Sequence, residues 1–520
     1  MNWTERTRDT GDIYPLPPEE ARAWQALLAP LTGLSLYPRS FVAHRRVLYF
    51  LGRREEGKWL GVLAPHPVAG LEGTWREVTL RGEQWHLFLG PTHTANAAAL
   101  RTRVRSLTPR PLGLHKSVGC GDRLGLATPG HVRAVRKHTM APIFAQQSIR
   151  EMERTGRSPQ QVMDDAMWGV LQEGWHHGYG ADADHLKTFA HIDQCVAAGF
   201  TFYTVDPSDH VDNTAAAASP EEVRAAVEAL PWNTLDASPE KLKALYLGRN
   251  FDVGDFTLTL DEETLWRAAA KYGRAVAHTV RMYYYLRERT DSPFELEMSV
   301  DETDTPTTVA EHFFVASELR RLGVTWVSLA PRFVGRFEKG VDYIGDLGEF
   351  ERTFRQHVAV AQALGPYKLS LHSGSDKFTI YPIVAEWAGD LVHLKTAGTS
   401  YLVALEIVAR VHPPLFREIL AFARERYPVD RATYHVSADV SRVPLPETLP
   451  DEALPQVLHD FHGRQVLHVT FGSVLTARDE KGRFRFRERL LATLWEAEEA
   501  YSAALESHFD QHLAPFDRSD

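Results

Sequence analysis

The spacing of hydrophobic and polar positions changes character near residue 112. Before it, alternating stretches such as F-V-A-H-R-R-V-L-Y-F-L-G and W-H-L-F-L-G are separated by Gly, Pro and charged turns. Period-two alternation between turn signals predicts strands and hairpins. The Pro- and Arg-rich run S-L-T-P-R-P-L-G closes this stretch, so residues 1–112 are expected to form a β-rich N-terminal region.

Beyond it, short apolar runs alternate with amphipathic helices. Strands are predicted at 117–127, 141–148, 178–184, 200–206, 294–301, 325–330, 367–372 and 391–396. V-A-E-H-F-F-V-A-S-E-L-R-R-L-G has apolar residues at helical spacing and Gly323 placed as a C-cap. E-F-E-R-T-F-R-Q-H-V-A-V-A-Q-A-L-G repeats that pattern with Gly365. Eight strands alternating with helices predict an α/β fold, a (β/α)8 TIM-like barrel, over residues 113–427. A doubly wound open sheet is the runner-up. Residues 207–262 and 428–520 exceed a minimal barrel; the first is read as extra helices, the second as a C-terminal extension packing on the barrel.

Composition narrows the function. A chain of 520 residues with 44% hydrophobic content can bury a large core, and its net charge of −10 offers no basic face for nucleic acid. The basic run Arg101, Arg103, Arg105, Arg110 is interrupted by apolar residues and reads as a solvated face. Two cysteines rule out a disulfide framework, and with a polar N-terminus and no bilayer-length apolar run the expected setting is the cytoplasm. No phosphate loop and no G-x-S-x-G elbow occurs. Glycines in G-C-G-D-R-L-G suggest close backbone approach to a ligand.

In such barrels the chemistry sits where strands end. Here those ends read D-A-D-H, V-D-P-S-D-H-V-D, E-L-E-M-S-V-D-E-T, H-S-G-S-D-K and H-L-K-T. Burying so many charges at one rim is costly unless they are used or paired. Strand parity puts Lys368, Ser370 and His372 on one face, and likewise Glu295, Glu297, Ser299 and Asp301. Asp184 and His185 are neighbours and share a face only if the backbone turns. Two imidazoles and a carboxylate on separate strand ends suit a divalent cation. His185 and His372 are the nitrogen candidates; Glu338 and Asp206 both qualify as the third ligand, with a slight preference for Glu338. Asp184 and Glu297 remain as an acid–base pair, which inversion at carbon requires. Arg123, Arg150, Lys377 and Lys395 suggest an anionic substrate, and Asp122 and Gln147 are added as substrate contacts. His312 reads as a helix-face histidine.

The stretches G-D-R-L-G-L-A-T-P-G-H, A-Q-Q-S-I-R-E, G-A-D-A-D-H-L-K-T, G-F-T-F-Y-T-V-D-P-S-D-H-V-D-N, L-H-S-G-S-D-K-F and H-L-K-T-A-G-T-S resemble the tagaturonate epimerase family from about residue 115 to 410. The resemblance implies interconversion of D-tagaturonate and D-fructuronate in hexuronate breakdown, with a divalent metal such as Zn, Mn, Ni or Co. It casts Asp184 as proton acceptor, Glu297 as proton donor, and His185 and His372 as metal ligands. Some relatives act on the neutral ketoses fructose and tagatose. The expected partner is a keto-sugar acid; a homo-oligomer is left open, with the N-terminal region either covering the barrel mouth or forming a subunit contact. The competing readings are a metal-dependent aldolase and a non-catalytic sugar-acid binding protein.

Overall fold

A computed structural model describes residues 14–517. The N-terminal region is a seven-stranded antiparallel sheet. Its strands are β1 (Tyr14–Pro15), β2 (Ser35–Leu36), β3 (Val42–His44), β4 (Val47–Arg54), β5 (Gly57–Ala64), β6 (Thr74–Leu80) and β7 (Glu83–Pro91). Their order is β1-β3-β4-β5-β7-β6, with β2 added on β4. Trp24, Leu28, Phe41, Phe50 and Leu87 give this sheet and helix Pro18–Thr32 a small core of their own.

The barrel strands are β8 (Ser117–Gly121), β9 (Ala141–Ser148), β10 (Gly180–Leu186) and β11 (Phe202–Val205), then, after a separate hairpin of β12 (Phe251–Asp252) and β13 (Thr257–Leu258), β14 (Glu295–Val300), β15 (Ser328–Pro331), β16 (Lys368–Leu371) and β17 (Val392–Lys395). They pair in chain order, and β17 pairs in parallel with β8, so the ring is closed. The open sheet is thereby excluded. β10 and β15 run past the predicted ends at 184 and 330, and each predicted strand overlaps an observed one. The first is shorter than expected because Asp122 accepts hydrogen bonds from the amides of Leu124 (3.0 Å), Gly125 (2.8 Å) and Ala127 (2.8 Å), turning the chain into helix Thr128–Val135.

Parity holds inside the ring. Leu369, Leu371, Val392 and Leu394 are buried toward the helices, while Lys368, Ser370, His393 and Lys395 alternate with them. Across the interior, Lys368 Nζ donates to Ser117 Oγ at 3.0 Å, and Ser117 Oγ lies 2.9 Å from His393 Nδ1. The interior is therefore polar over much of its height. Gly119 and Gly121 serve that packing. An added Cβ would lie 2.8 Å from Gln146 Cγ at the first and 2.6 Å from Ala397 Cα at the second. The close approach read from these glycines is thus to the chain itself.

Helix Val309–Arg321 starts at a Thr308–Glu311 capping box and is followed by left-handed Gly323 (φ 74°). Gly365 differs from expectation: it follows helix Leu347–Leu364 at φ −118°. Pro366 comes next, and proline pushes its predecessor out of helical geometry. The helices expected within 207–262 are present, among them Pro220–Glu228 and Pro239–Tyr246.

The N-terminal sheet docks on the flank of the barrel. Arg39 pairs with Glu173 just past helix Pro159–Gln172 (2.8 Å), and Arg53 pairs with Glu498 (2.8 Å) and stacks over Trp495. Near residue 428 the chain shows no break: helix Pro413–Asp430 runs through that position, with Pro428 in its last turn. Among the described residues, no helix is long and apolar enough to cross a membrane.

Several histidines are buried in neutral form. His131 contacts Ser400 Oγ at 2.7 Å and His357 contacts His312 at 2.9 Å; burial pushes His131 and His357 down to about 4. His312 also contacts the Tyr367 hydroxyl at 2.7 Å, so it faces the interior layer. An unfolded histidine takes its proton near pH 6.5, the folded one only near pH 4. Acidification from pH 6.5 toward 4 therefore destabilises the fold, by about 1.4 kcal/mol per pH unit for each such ring. Denaturant unfolding at pH 7 and pH 5 is expected to show a lower midpoint at pH 5, with a smaller difference in His131→Gln. Equal midpoints in the parent chain would mean that these rings are open to water.

Candidate active site at the mouth of the barrel

The site begins with an irregularity in β10. Its register against β11 runs Asp182↔Phe202 and Ala183↔Tyr203, then shifts before Leu186↔Val205. Within that bulge His185 has φ 55°. Left-handed geometry costs a side-chain-bearing residue roughly 1–2 kcal/mol. In return, Asp184 and His185 both reach the interior, as a regular strand would forbid. Strained backbone of this kind gathers at functional positions.

Lys395, at the end of β17, is the buried electrostatic centre. Its Nζ lies 2.7 Å from Asp184 Oδ1, 2.9 Å from Asp182 Oδ2, 2.8 Å from Glu297 Oε1 and 2.8 Å from Thr204 Oγ1. Burial opposes its charge, but the three carboxylates hold it protonated. Burial likewise works against ionised Asp184, yet His185, Lys395 and His372 keep its carboxyl below the usual range. Glu297 is held ionised against burial by Lys395 and His372. Asp182 goes the other way, raised by burial and by its neighbours Asp184 and Glu297 although Lys395 opposes this. Gln146, seated over Gly119, donates from Nε2 to Asp184 Oδ2 (3.2 Å).

Two histidines stand beside this group, their rings 5.1 Å apart between centroids. His185 directs Nδ1 at Asp206 Oδ2 (3.1 Å), leaving Nε2 at 3.9 Å from Asp184 Oδ1. His372 places Nε2 2.6 Å from Glu297 Oε1 and Nδ1 3.3 Å from Asp301 Oδ1. Burial lowers both rings, but the surrounding carboxylates outweigh it and raise them to about 10 and about 9. The donors fit a divalent ion. Asp184, His185 and His372 offer ligand atoms all within 4.8 Å of one another, and so do His185, Asp206 and Glu302. Each ring also has a carboxylate to fix its orientation. A third group, Asp376, His508 and His512, lies elsewhere and is partly engaged by its neighbours. His512 Nε2 accepts from the Asp376 amide (3.0 Å), and Arg464 pairs with Asp376 (3.1 Å).

The other expected residues divide. Arg150 pairs with Glu302 (2.7 Å), at the edge of the site. Gln147 is buried, and neither polar atom of its side chain has a hydrogen-bond partner among the described residues. Four do not contribute to the histidine cluster. Glu338 does not join it: its Oε2 accepts from Ser437 and Gln465, both at 2.8 Å, and Arg336 lies 3.3 Å from Oε1. Asp122 spends its carboxylate on the turn after β8. Arg123 is locked to Glu151 (2.8 Å) and stacked on Phe471 (3.6 Å). Lys377 donates to the carbonyls of Glu338 (2.9 Å) and Ser375 (3.1 Å). Conversely, Asp182 and Thr204 went unnamed. D-A-D parity could have found Asp182, since it shares a face with Asp184.

Beside His372 lies a cavity of about 310 Å³ whose lining includes Asp301, Glu302, Arg332, Glu338, Lys339, His372 and Tyr434. Thr433, Tyr434 and His435 of the C-terminal region line it, and no residue of the N-terminal sheet does. Of the two alternatives left open for the N-terminal region, covering the mouth is not what this cavity shows: the sheet's ion pairs tie it to the flank.

A sequence profile of the tagaturonate epimerase family matches residues 37–516. The chain belongs to the tagaturonate epimerase family. It is 43% identical over 481 residues to the tagaturonate/fructuronate epimerase of Thermotoga maritima, covering 92% of this chain and 96% of that protein. Solved structures of fructuronate-tagaturonate epimerase UxaE from Cohnella laeviribosi share the fold. A glycerol complex has TM-score 0.87 and 37% identity, covering 95% of this chain and 99% of that one. The native form gives TM-score 0.87 over 96% of this chain and 99% of that one. The family match extends through the bulge at His185 and the strand ends that meet at Lys395.

Proposed function

We propose that this chain interconverts D-tagaturonate and D-fructuronate, inverting the carbinol carbon two positions from the ketone. The observation that carries this reading is the pair Asp184 and Glu297, bridged by one buried lysine beside two convergent histidines in a tagaturonate epimerase barrel. His185, His372 and Asp184 would hold a divalent ion. When bound, it supplies Lewis-acid polarisation of substrate oxygens.

The inverted carbon is not α to the ketone, so its C–H is not acidified. A retro-aldol route avoids that C–H. A carboxylate takes the hydroxyl proton on the carbon to be inverted, and the C–C bond on its ketone side breaks. The aldehyde fragment rotates, the bond re-forms on the other face, and the oxygen recovers a proton. The acceptor and donor roles implied by family resemblance are modified here. Asp184 and Glu297 are both ionised, so each can accept the hydroxyl proton on its own face and return it after the new bond forms. Lys395 bridges the two carboxylates and fixes both in place.

Purified protein incubated with tagaturonate in heavy water is expected to yield fructuronate with no deuterium on carbon. Turnover is expected to stop on chelation and return with a divalent ion. Carbon-bound deuterium would favour enolisation, accumulation of three-carbon products an aldolase. No conversion of tagaturonate under any metal would overturn the proposal.

A further inference from the structure

Adjacent strands β14, β15 and β16 end on one wall of the cavity. β14 leads into Asp301 and Glu302, β15 into Arg332, and β16 into His372 and Ser373. The lining thus contains an acidic group next to the metal-binding histidine and a basic group of Arg332, Arg336 and Lys339. Two members of the basic group already have partners. Arg336 lies 3.3 Å from Glu338, and Lys339 Nζ donates to Ser373 Oγ at 2.6 Å.

Arg332 is different. Its backbone is pinned on both sides: its amide donates to Thr307 Oγ1 (3.1 Å) and its carbonyl accepts from the Thr307 amide (2.8 Å). Arg332 lines the cavity, and among the described residues no hydrogen bond or ion pair holds its guanidinium. A fixed backbone carrying an unengaged planar cation is suited to bidentate capture of a carboxylate.

We propose that Arg332 binds the carboxylate of the substrate, with Lys339 adding a second positive charge. This rests on the hexuronate reading above and deepens it: substrate charge, sensed at the end of β15, separates uronates from neutral ketohexoses. Lys339 also touches Ser373, the residue after His372, so the carboxylate-binding and metal-binding ends of the cavity share one strand end.

Steady-state kinetics of the metal-loaded protein test the assignment, using tagaturonate and neutral tagatose with Arg332→Met, Arg332→Lys and Lys339→Met. In Arg332→Met, KM for tagaturonate is expected to rise about 10–100-fold with kcat little changed, because a charge-assisted contact made equally in ground and transition state is lost. Any tagatose turnover should be unaffected, and Arg332→Lys should recover part of the loss. An unchanged KM for tagaturonate, or equal losses on both sugars, would overturn the assignment. Should the parent chain turn over neither sugar, the epimerase reading falls separately. Calorimetric titration with fructuronate then decides: binding by the parent but not by Arg332→Met supports the carboxylate site, and equal or absent binding in both overturns it.

Discussion

Glu297→Gln is expected to lower kcat on tagaturonate by about 10²–10⁴-fold, the range for loss of a positioned proton carrier. The substitution keeps the shape of a fully buried side chain and removes its charge. Oε1 contacts Lys395 and His372, while Oε2 has no hydrogen-bond partner among the described residues. Metal content is expected to survive, since Glu297 is outside the ligand cluster. Asp184→Asn is expected to behave differently, losing bound ion and turnover together because Asp184 belongs to that cluster. Metal analysis beside kinetics separates the two roles. Full turnover by Glu297→Gln would remove it from the chemistry.

Lys395→Met is expected to destabilise the fold by about 3–5 kcal/mol and to abolish turnover, because it strands buried carboxylates without their counter-charge. Asp182, Asp184 and Glu297 all lie within 2.9 Å of the ammonium. Adding Asp182→Asn to Lys395→Met should restore part of the stability, and denaturant unfolding of the two single variants and the double variant gives the coupling. A Lys395→Met midpoint equal to that of the parent would show that water, rather than this amine, balances the carboxylates.

The barrel was legible because each strand is short, apolar on one face and punctuated by turns, and because parity carries inward and outward positions directly. The same rule placed His372 and Glu297 in the interior. Closure was not legible, since the β17–β8 pairing joins residues far apart in sequence. The surroundings of Glu338 were hidden for a related reason: it is held by Ser437 and Gln465, whose approach depends on how the C-terminal region folds back. Arg123 and Lys377 are cations at rim positions, but only the fold shows that a carboxylate and backbone carbonyls had already claimed them. The bulge was required by the adjacency of Asp184 and His185, yet nothing in the residues announced how the chain would turn.

That bulge sets two pressures on one position. At φ 55°, residue 185 is a place where the backbone alone would prefer glycine. A search for heat-tolerant variants that ignored activity would drift toward glycine there and gain a sturdier but inert barrel. Histidine at this position is the toll that folding ease yields to chemistry.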